Sequence, residues 1–399
     1  MHELGTQNKR DAMRIGILTG GGDVPGLNPA IQQVTREACA RGWEVVGIRN
    51  GWAGLLGVNP DDESSQAARL MTLDPQTTRG IDRFGGTVLH TARLHPDTVR
   101  EADMPEFLQA TASYDERRWA DMTPHILRVI EYLKLDALIP IGGDGTLSYA
   151  ARLGEEGVPV LAIPKTMDND VQGTDVCIGF PTAITRSIHT VHDIRSTASA
   201  EESIGVIELM GRHSGETALM AGHLGSADRT AIAEVPVDVA ALSELLWNDL
   251  SAGGEAGAVM VISEGAQLVG IDADTASTPA RTDKFGNTRL GGVGEILARD
   301  LTQRLGVPAF SLQLAYLMRA GAPVSQDSMI ARAFGTLAVE LIAAGQTGRM
   351  TALQEGTYTS VPISRTGEGA AQVDVDRYYD AKTFKPRITR PGIAQSLSF

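Results

Sequence analysis

Two aspartates two residues apart, Asp168 and Asp170, stand in the stretch "IPKTMDNDVQGTDVCIGFPTA" together with Lys165, Thr166 and Asp175. Such a pair can hold one carboxylate against a cation while the other accepts a proton, as general base catalysis requires. A solvated acidic loop or a cluster of Asx turns would use the same residue types. Upstream, "IPIGGDGTLSYA" sets Asp144 among Gly142, Gly143 and Gly145, ahead of Leu147 and Ala150 at helical spacing. Bare N–H groups at a helix start can approach phosphate oxygens while the acid holds a metal ion. A tight Asp-Gly turn is the alternative. A second glycine loop, Gly20, Gly21, Gly22 and Gly26, follows "RIGILT". Pro25 breaks the dinucleotide fingerprint, and Leu27 and Asn28 stand where a Walker loop needs Lys and then Ser or Thr. Two bare loops at strand ends, each opening onto a helix, still point to phosphate. "MGRHSG" adds Arg212, a side chain suited to phosphate or carboxylate. His213 is given no role.

These residues need strands that end and helices that begin where they stand. Residues 13–51 read as strand, loop, helix and strand, one βαβ unit, and the same order returns around "HILRVIEYLKLDALIPIGGDGTLSYAARLGEEGVPVLAIPKT". A doubly wound parallel sheet follows, with its ligands outside the carboxyl ends of the strands, where both glycine loops fall. Residues 53–120 are polar and interrupted, and carry little signal apart from "FGGTVLHTAR". Beyond 180 the alternation continues as a second α/β unit, with strands at "SIGVIELM" and "AVMVISEG". The stretch 267–292 is rich in turn formers and has neither helical nor strand period, so it reads as a mobile connection.

The chain has 399 residues, which favours two or more domains. No apolar run reaches the roughly 18 residues of a membrane helix. With 49 acidic and 35 basic residues the net charge is -14, which argues against nucleic acid as a partner and requires a local basic pocket for any anionic ligand. Cys39 and Cys177 each lie in apolar stretches and read as core thiols. The polar start, residues 1–13, has no apolar core of the kind a signal peptide carries, so a cytoplasmic location is expected.

"GILTGGGDVPG", "IGGDGT", "PKTMDND", "MGRHSG" and "LGGVGEIL" together resemble the phosphofructokinase family, over nearly the whole chain. "GGDGT" alone is shared with NAD kinases and diacylglycerol-type lipid kinases; "PKTMDND" with "MGRHSG" is far more specific. The resemblance implies two doubly wound α/β domains with mostly parallel sheets. Residues 13–180 with 315–375 would handle the phosphoryl donor, and 181–314 with 376–399 the sugar phosphate. It implies an ATP-dependent 6-phosphofructokinase that transfers a phosphoryl group to the C1 hydroxyl of fructose 6-phosphate. In that reading Asp168 is the base, Asp144 holds Mg²⁺, and Lys165 stabilises the group in flight. Gly22, Arg83, Gly143, Asp144, Gly145 and Thr146 would meet the donor. Thr166, Met167, Asp168, Met210, Gly211, Arg212, Glu264, Tyr316 and Arg319 would meet the sugar phosphate, with Arg319 reaching a neighbouring subunit of a homodimer or homotetramer.

In the resembling family an aspartate at position 145 accompanies pyrophosphate use, so Gly145 points to ATP. Lys165 is the residue usual in pyrophosphate enzymes, although it also occurs in the ATP-using branch of plant and trypanosome type. Phe84 and Ser203 stand where bacterial-type members place phosphate-binding arginines, which leaves sedoheptulose 7-phosphate or another ketose phosphate as an alternative acceptor. A catalytically silent sugar-phosphate sensor would be expected to lose Asp144 or Asp168, and both are present.

Overall fold

The computed structural model describes residues 12–252, 256–271, 281–282, 288–289 and 291–387. The connection expected over 267–292 and the polar lead lie largely outside the described residues. In chain order come β1 (Arg14–Thr19), α1 (Leu27–Ala40), β2 (Glu44–Ile48), β3 (Leu70–Leu73), α2 (Thr123–Tyr132), β4 (Ala137–Gly142), α3 (Asp144–Glu155) and β5 (Leu161–Thr166). They are followed by β6 (Ile178–Gly179), α4 (Phe180–Ala200), β7 (Ile204–Leu209), α5 (Glu216–Leu224), β8 (Arg229–Ala231), α6 (Val239–Ser251) and β9 (Ala258–Ser263). The last are α7 (Val293–Leu305), β10 (Ala309–Gln313), α8 (Ser325–Ala343), β11 (Arg349–Gln354) and β12 (Thr357–Pro362). No helix among the described residues is long and apolar enough to cross a membrane.

Two compact units result. The first comprises residues up to Pro164 with Ser328–Leu353 and Thr357–Glu368; the second comprises Lys165–Asp327, Gln354–Gly356 and the residues from Gly369. The first crossing between them falls inside β5, rather than near residue 180. Pro164 stands at that crossing but the strand runs on through it to Thr166, whereas Gly179, at φ 104°, stands directly before α4.

In the first unit the sheet runs β12-β11-β5-β4-β1-β2-β3. β1 pairs in parallel with β2 on one side and β4 on the other, and β4 with β5. β3 is an antiparallel edge on β2, inside the stretch the sequence leaves without strands. The strand order reverses at β1, so the crevice outside the ends of β1 and β4 is the switch point where α/β sheets take ligands. The second unit has a parallel sheet in the order β8-β9-β7-β10. Its two central strands are buried and largely apolar: Ile204, Val206, Ile207 and Leu209 in β7, interrupted by the buried Glu208, and Val259 to Ile262 in β9. Each such apolar side chain contributes about 1.5–3 kcal/mol through burial. Cys177 is buried as expected, but Cys39, on the flank of α1, is only partly covered.

Asp327 anchors the start of α4. Its carboxylate accepts from Gly179 N at 2.6 Å, Thr182 N at 2.8 Å and the Thr182 hydroxyl. Burial raises its pKa to about 6 despite these donors. The folded state therefore keeps a proton that the unfolded chain loses near pH 4; the stability this contributes is present below pH 4 and lost as pH rises through 6. Asp327→Ala strands three buried donors and is expected to cost about 2–4 kcal/mol, read as a lower denaturant midpoint. An unfolding free energy within about 0.5 kcal/mol of the parent, the range of an ordinary surface substitution, would show that the cap is not what holds α4.

Candidate active site

In the first unit, the ends of β1 and β4 are drawn together by one side chain. A Cβ on Gly20 would lie 2.4 Å from Oγ1 of Thr146, and one on Gly142 2.3 Å from its Cβ. Only glycine permits that approach. Thr146 is thus a buried wedge between the two glycine loops, and Gly20 N donates to Ile141 O at 2.9 Å. α3 begins at Asp144 behind Gly143, with no side-chain cap, so its first N–H groups are those an anion would meet. Gly22 is half-buried in the first loop.

The stretch "FGGTVLHTAR" lies along this first loop. Asn28, in the opening turn of α1, donates to Phe84 O at 3.1 Å and Gly85 O at 3.3 Å and accepts from Val88 N at 2.9 Å. Gly21 N donates to Ala92 O at 3.0 Å, and the Thr91 hydroxyl to Gly21 O at 2.8 Å. Asn28 is a positioning residue that sequence reasoning missed, because its partners lie some sixty residues away. Arg83 is exposed on the turn before this stretch, and Phe84 is 67% exposed.

In the second unit the acidic loop follows directly from β5. Lys165 and Thr166 are strand residues, pairing with Ile178 and Gly179, and Lys165 is buried. Met167 is buried beneath the loop, and Asp168 N donates to Thr166 Oγ1 at 3.1 Å. Asn169, at φ 55°, turns the loop and fixes it. Its Oδ1 accepts from Cys177 N at 2.7 Å, and its Nδ2 donates to Asp175 O at 2.9 Å and Glu216 Oε1 at 3.0 Å.

Asp168 is held under electrostatic pressure. Its Oδ1 is shielded from solvent and has no hydrogen-bond partner. Burial, then the charges of Asp170 and Glu264, raise its pKa to about 7, with Arg212 and Lys165 opposing. Asp170 is raised too, chiefly by burial, against the Thr166 hydroxyl, Arg212 and Lys165. A carboxyl poised near neutrality is matched to a general base. Glu216, at the start of α5, is pushed to about 8 by burial, relieved by Asn169.

"MGRHSG" leaves the carboxyl end of β7, and Glu264 leaves that of β9. The Glu264 carboxylate accepts from Gly211 N at 3.3 Å and Arg212 N at 3.1 Å, which leaves the exposed Arg212 guanidinium free of that bond. Met210 N points to Met318 Sδ at 3.3 Å. Tyr316 is 61% exposed, while Arg319 is only 8% exposed, its guanidinium 4.8 Å from the centre of the Tyr316 ring. Arg319 is thus already buried on its own chain, not extended away from it. Ser203 is buried at the amino end of β7, the opposite end of the strand from Arg212.

Among the described residues no group of three or more His, Cys, Asp or Glu side chains could hold a metal ion. Mg²⁺ commonly takes one or two carboxylates and completes its shell with phosphate and water. Asp144, on the first turn of α3, fits an ion that arrives with a phosphate ligand, not a resident metal centre.

A family model described as "Phosphofructokinase" matches residues 14–342. The chain is 35% identical over 375 residues to a pyrophosphate–fructose 6-phosphate 1-phosphotransferase of Dictyoglomus thermophilum, covering 93% of this chain and 98% of that one. It is 36% identical over 372 residues to ATP-dependent 6-phosphofructokinase 2 of Streptomyces coelicolor, covering 93% and 99%. Among solved structures, a pyrophosphate-dependent phosphofructokinase from Marinobacter aquaeolei shares the fold, with a TM-score of 0.74 at 20% identity over 96% of this chain and 91% of that one. With glycine loops at a switch point in one unit and an electrostatically raised aspartate at a strand end in the other, the chain belongs to the phosphofructokinase family and is a phosphotransferase.

Proposed function

We propose that the chain is an ATP-dependent 6-phosphofructokinase, forming fructose 1,6-bisphosphate in glycolysis in the cytoplasm. The single observation that carries the acceptor chemistry is the unpartnered, shielded Oδ1 of Asp168 on a carboxyl raised to about 7. A hydroxyl presented there gains a hydrogen bond, and its proton has an acceptor as the oxygen attacks. Thr166, Met167, Met210, Gly211, Arg212, Glu264, Tyr316 and Arg319 are assigned to the sugar phosphate. Arg212 answers the phosphate charge, and Glu264 holds the loop that carries it.

The donor is assigned to Gly22, Arg83, Gly143, Asp144, Gly145 and Thr146. Thr146 acts there as the side chain on which both loops close, and the uncapped start of α3 receives phosphate oxygens. Mg²⁺ bound with the donor at Asp144 would offset phosphate charge. Lys165, desolvated beside the base, favours charge building on the transferred group. Gly145 supports ATP; Lys165 keeps pyrophosphate as the second reading. The active species is proposed to be at least a dimer, since Tyr316 and Leu317 leave apolar surface 61% and 63% exposed beside Arg319. Full activity in a chain that sediments as a monomer would overturn that assembly.

A coupled assay with ATP and pyrophosphate offered separately, each with fructose 6-phosphate and Mg²⁺, tests the reading. ATP is expected to give the higher kcat/KM. Preference for pyrophosphate overturns the donor, and a tenfold higher value with sedoheptulose 7-phosphate overturns the acceptor.

A further inference from the structure

An imidazole stands beside the first turn of α3. A Cβ built on Gly145 would lie 2.6 Å from Nε2 of His95 and 3.1 Å from its Cε1. The space that a glycine is expected to leave open at this position is therefore occupied, and by a ring whose nitrogen can hydrogen-bond. The segment that presents it is anchored on both sides: Ala92 O accepts from Gly21 N at 3.0 Å, and Pro96 O from Met122 N at 2.7 Å. The backbone also turns back on itself there, Thr98 N donating to His95 O at 3.1 Å. His95 is only half-buried, so the ring can meet a ligand without opening the core. Its neighbour is the uncapped end of α3, where backbone N–H groups already favour an anion.

We propose that His95 is a donor-selecting residue: its Nε2 contacts the phosphate by which a nucleoside triphosphate extends beyond the two phosphates that pyrophosphate also offers. The proposal rests on the ATP reading above and adds to it the side chain that discriminates. A ring at this position serves the longer donor, whereas a carboxylate grown from residue 145 into the same volume would repel it. Removing one hydrogen bond to a charged group costs roughly ten- to a hundredfold in affinity.

The test is steady-state kinetics of the parent, His95→Ala and His95→Asn with ATP and with pyrophosphate, at saturating fructose 6-phosphate and Mg²⁺. In His95→Ala the KM for ATP is expected to rise about ten- to a hundredfold, with a much smaller change in kcat and in any KM for pyrophosphate. His95→Asn, which keeps a donor of shorter reach, is expected to recover part of the loss. Because kcat is read at saturating ATP, an unfolded variant is recognised as such, and His95→Asn then carries the test. An unchanged or lower KM for ATP in both variants overturns the proposal, since the ring would then only fill or obstruct the site. A parent that turns over pyrophosphate and not ATP overturns the donor reading and takes this proposal with it. A parent that uses ATP, with both variants using it equally well, overturns the proposal alone.

Discussion

Asp168→Asn lowers turnover with fructose 6-phosphate by about 10²–10⁴-fold, while binding of the sugar phosphate stays within a few-fold. A carboxamide has nearly the same shape, so Arg212 and Glu264 keep their places, but it accepts no proton from the attacking hydroxyl. The pH dependence of the parent carries the same signature. With its pKa raised to about 7, Asp168 holds a proton below that pH and cannot serve as base. kcat/KM, which reports groups of the free enzyme, therefore rises with pH and levels off above about 7, and in Asp168→Asn this rising limb is lost. Turnover of Asp168→Asn within tenfold of the parent would remove Asp168 from the role of base, whatever the pH profile.

Gly145→Asp is the second large effect. The added Cβ falls 2.6 Å from His95 Nε2, so the ring must swing aside, which a half-buried side chain can do. The carboxylate then sits at the start of α3, where the donor phosphates are assigned. Like charges brought together cost several kcal/mol, and kcat/KM with ATP is expected to fall by about 10²–10³-fold. Pyrophosphate, which is shorter, is expected to lose far less. Equal losses with the two donors in competition-free assays would mean that donor length is not read at residue 145.

Both glycine loops and the "PKTMDND" stretch were legible because each follows an apolar strand, and a parallel sheet delivers strand ends to one edge. What was hidden depends on contacts distant in sequence. Nothing near Asn28 announces that it pins Phe84 and Gly85, and nothing in "ARLHPD" announces that His95 covers Gly145. Ser203 precedes the six-residue β7, at the end of that strand away from Arg212, a separation that nine positions of sequence do not reveal. The passage between units falls between Pro164 and Lys165, where the apolar run has already ended but the strand continues to Thr166.

β5 also sets a timetable for biosynthesis. Its neighbour in the sheet, β11, begins at Arg349, about 180 residues after β5 ends at Thr166. At a ribosomal rate of 5–20 residues per second, β5 waits roughly 10 to 40 s with one side of its ladder unpaired. A buried, apolar strand edge exposed for that long is a site for chaperone capture or for pairing with another nascent chain. Truncations that end before β11 should therefore aggregate rather than yield a soluble first unit, and expression is expected to improve when translation is slowed only after β12 has emerged.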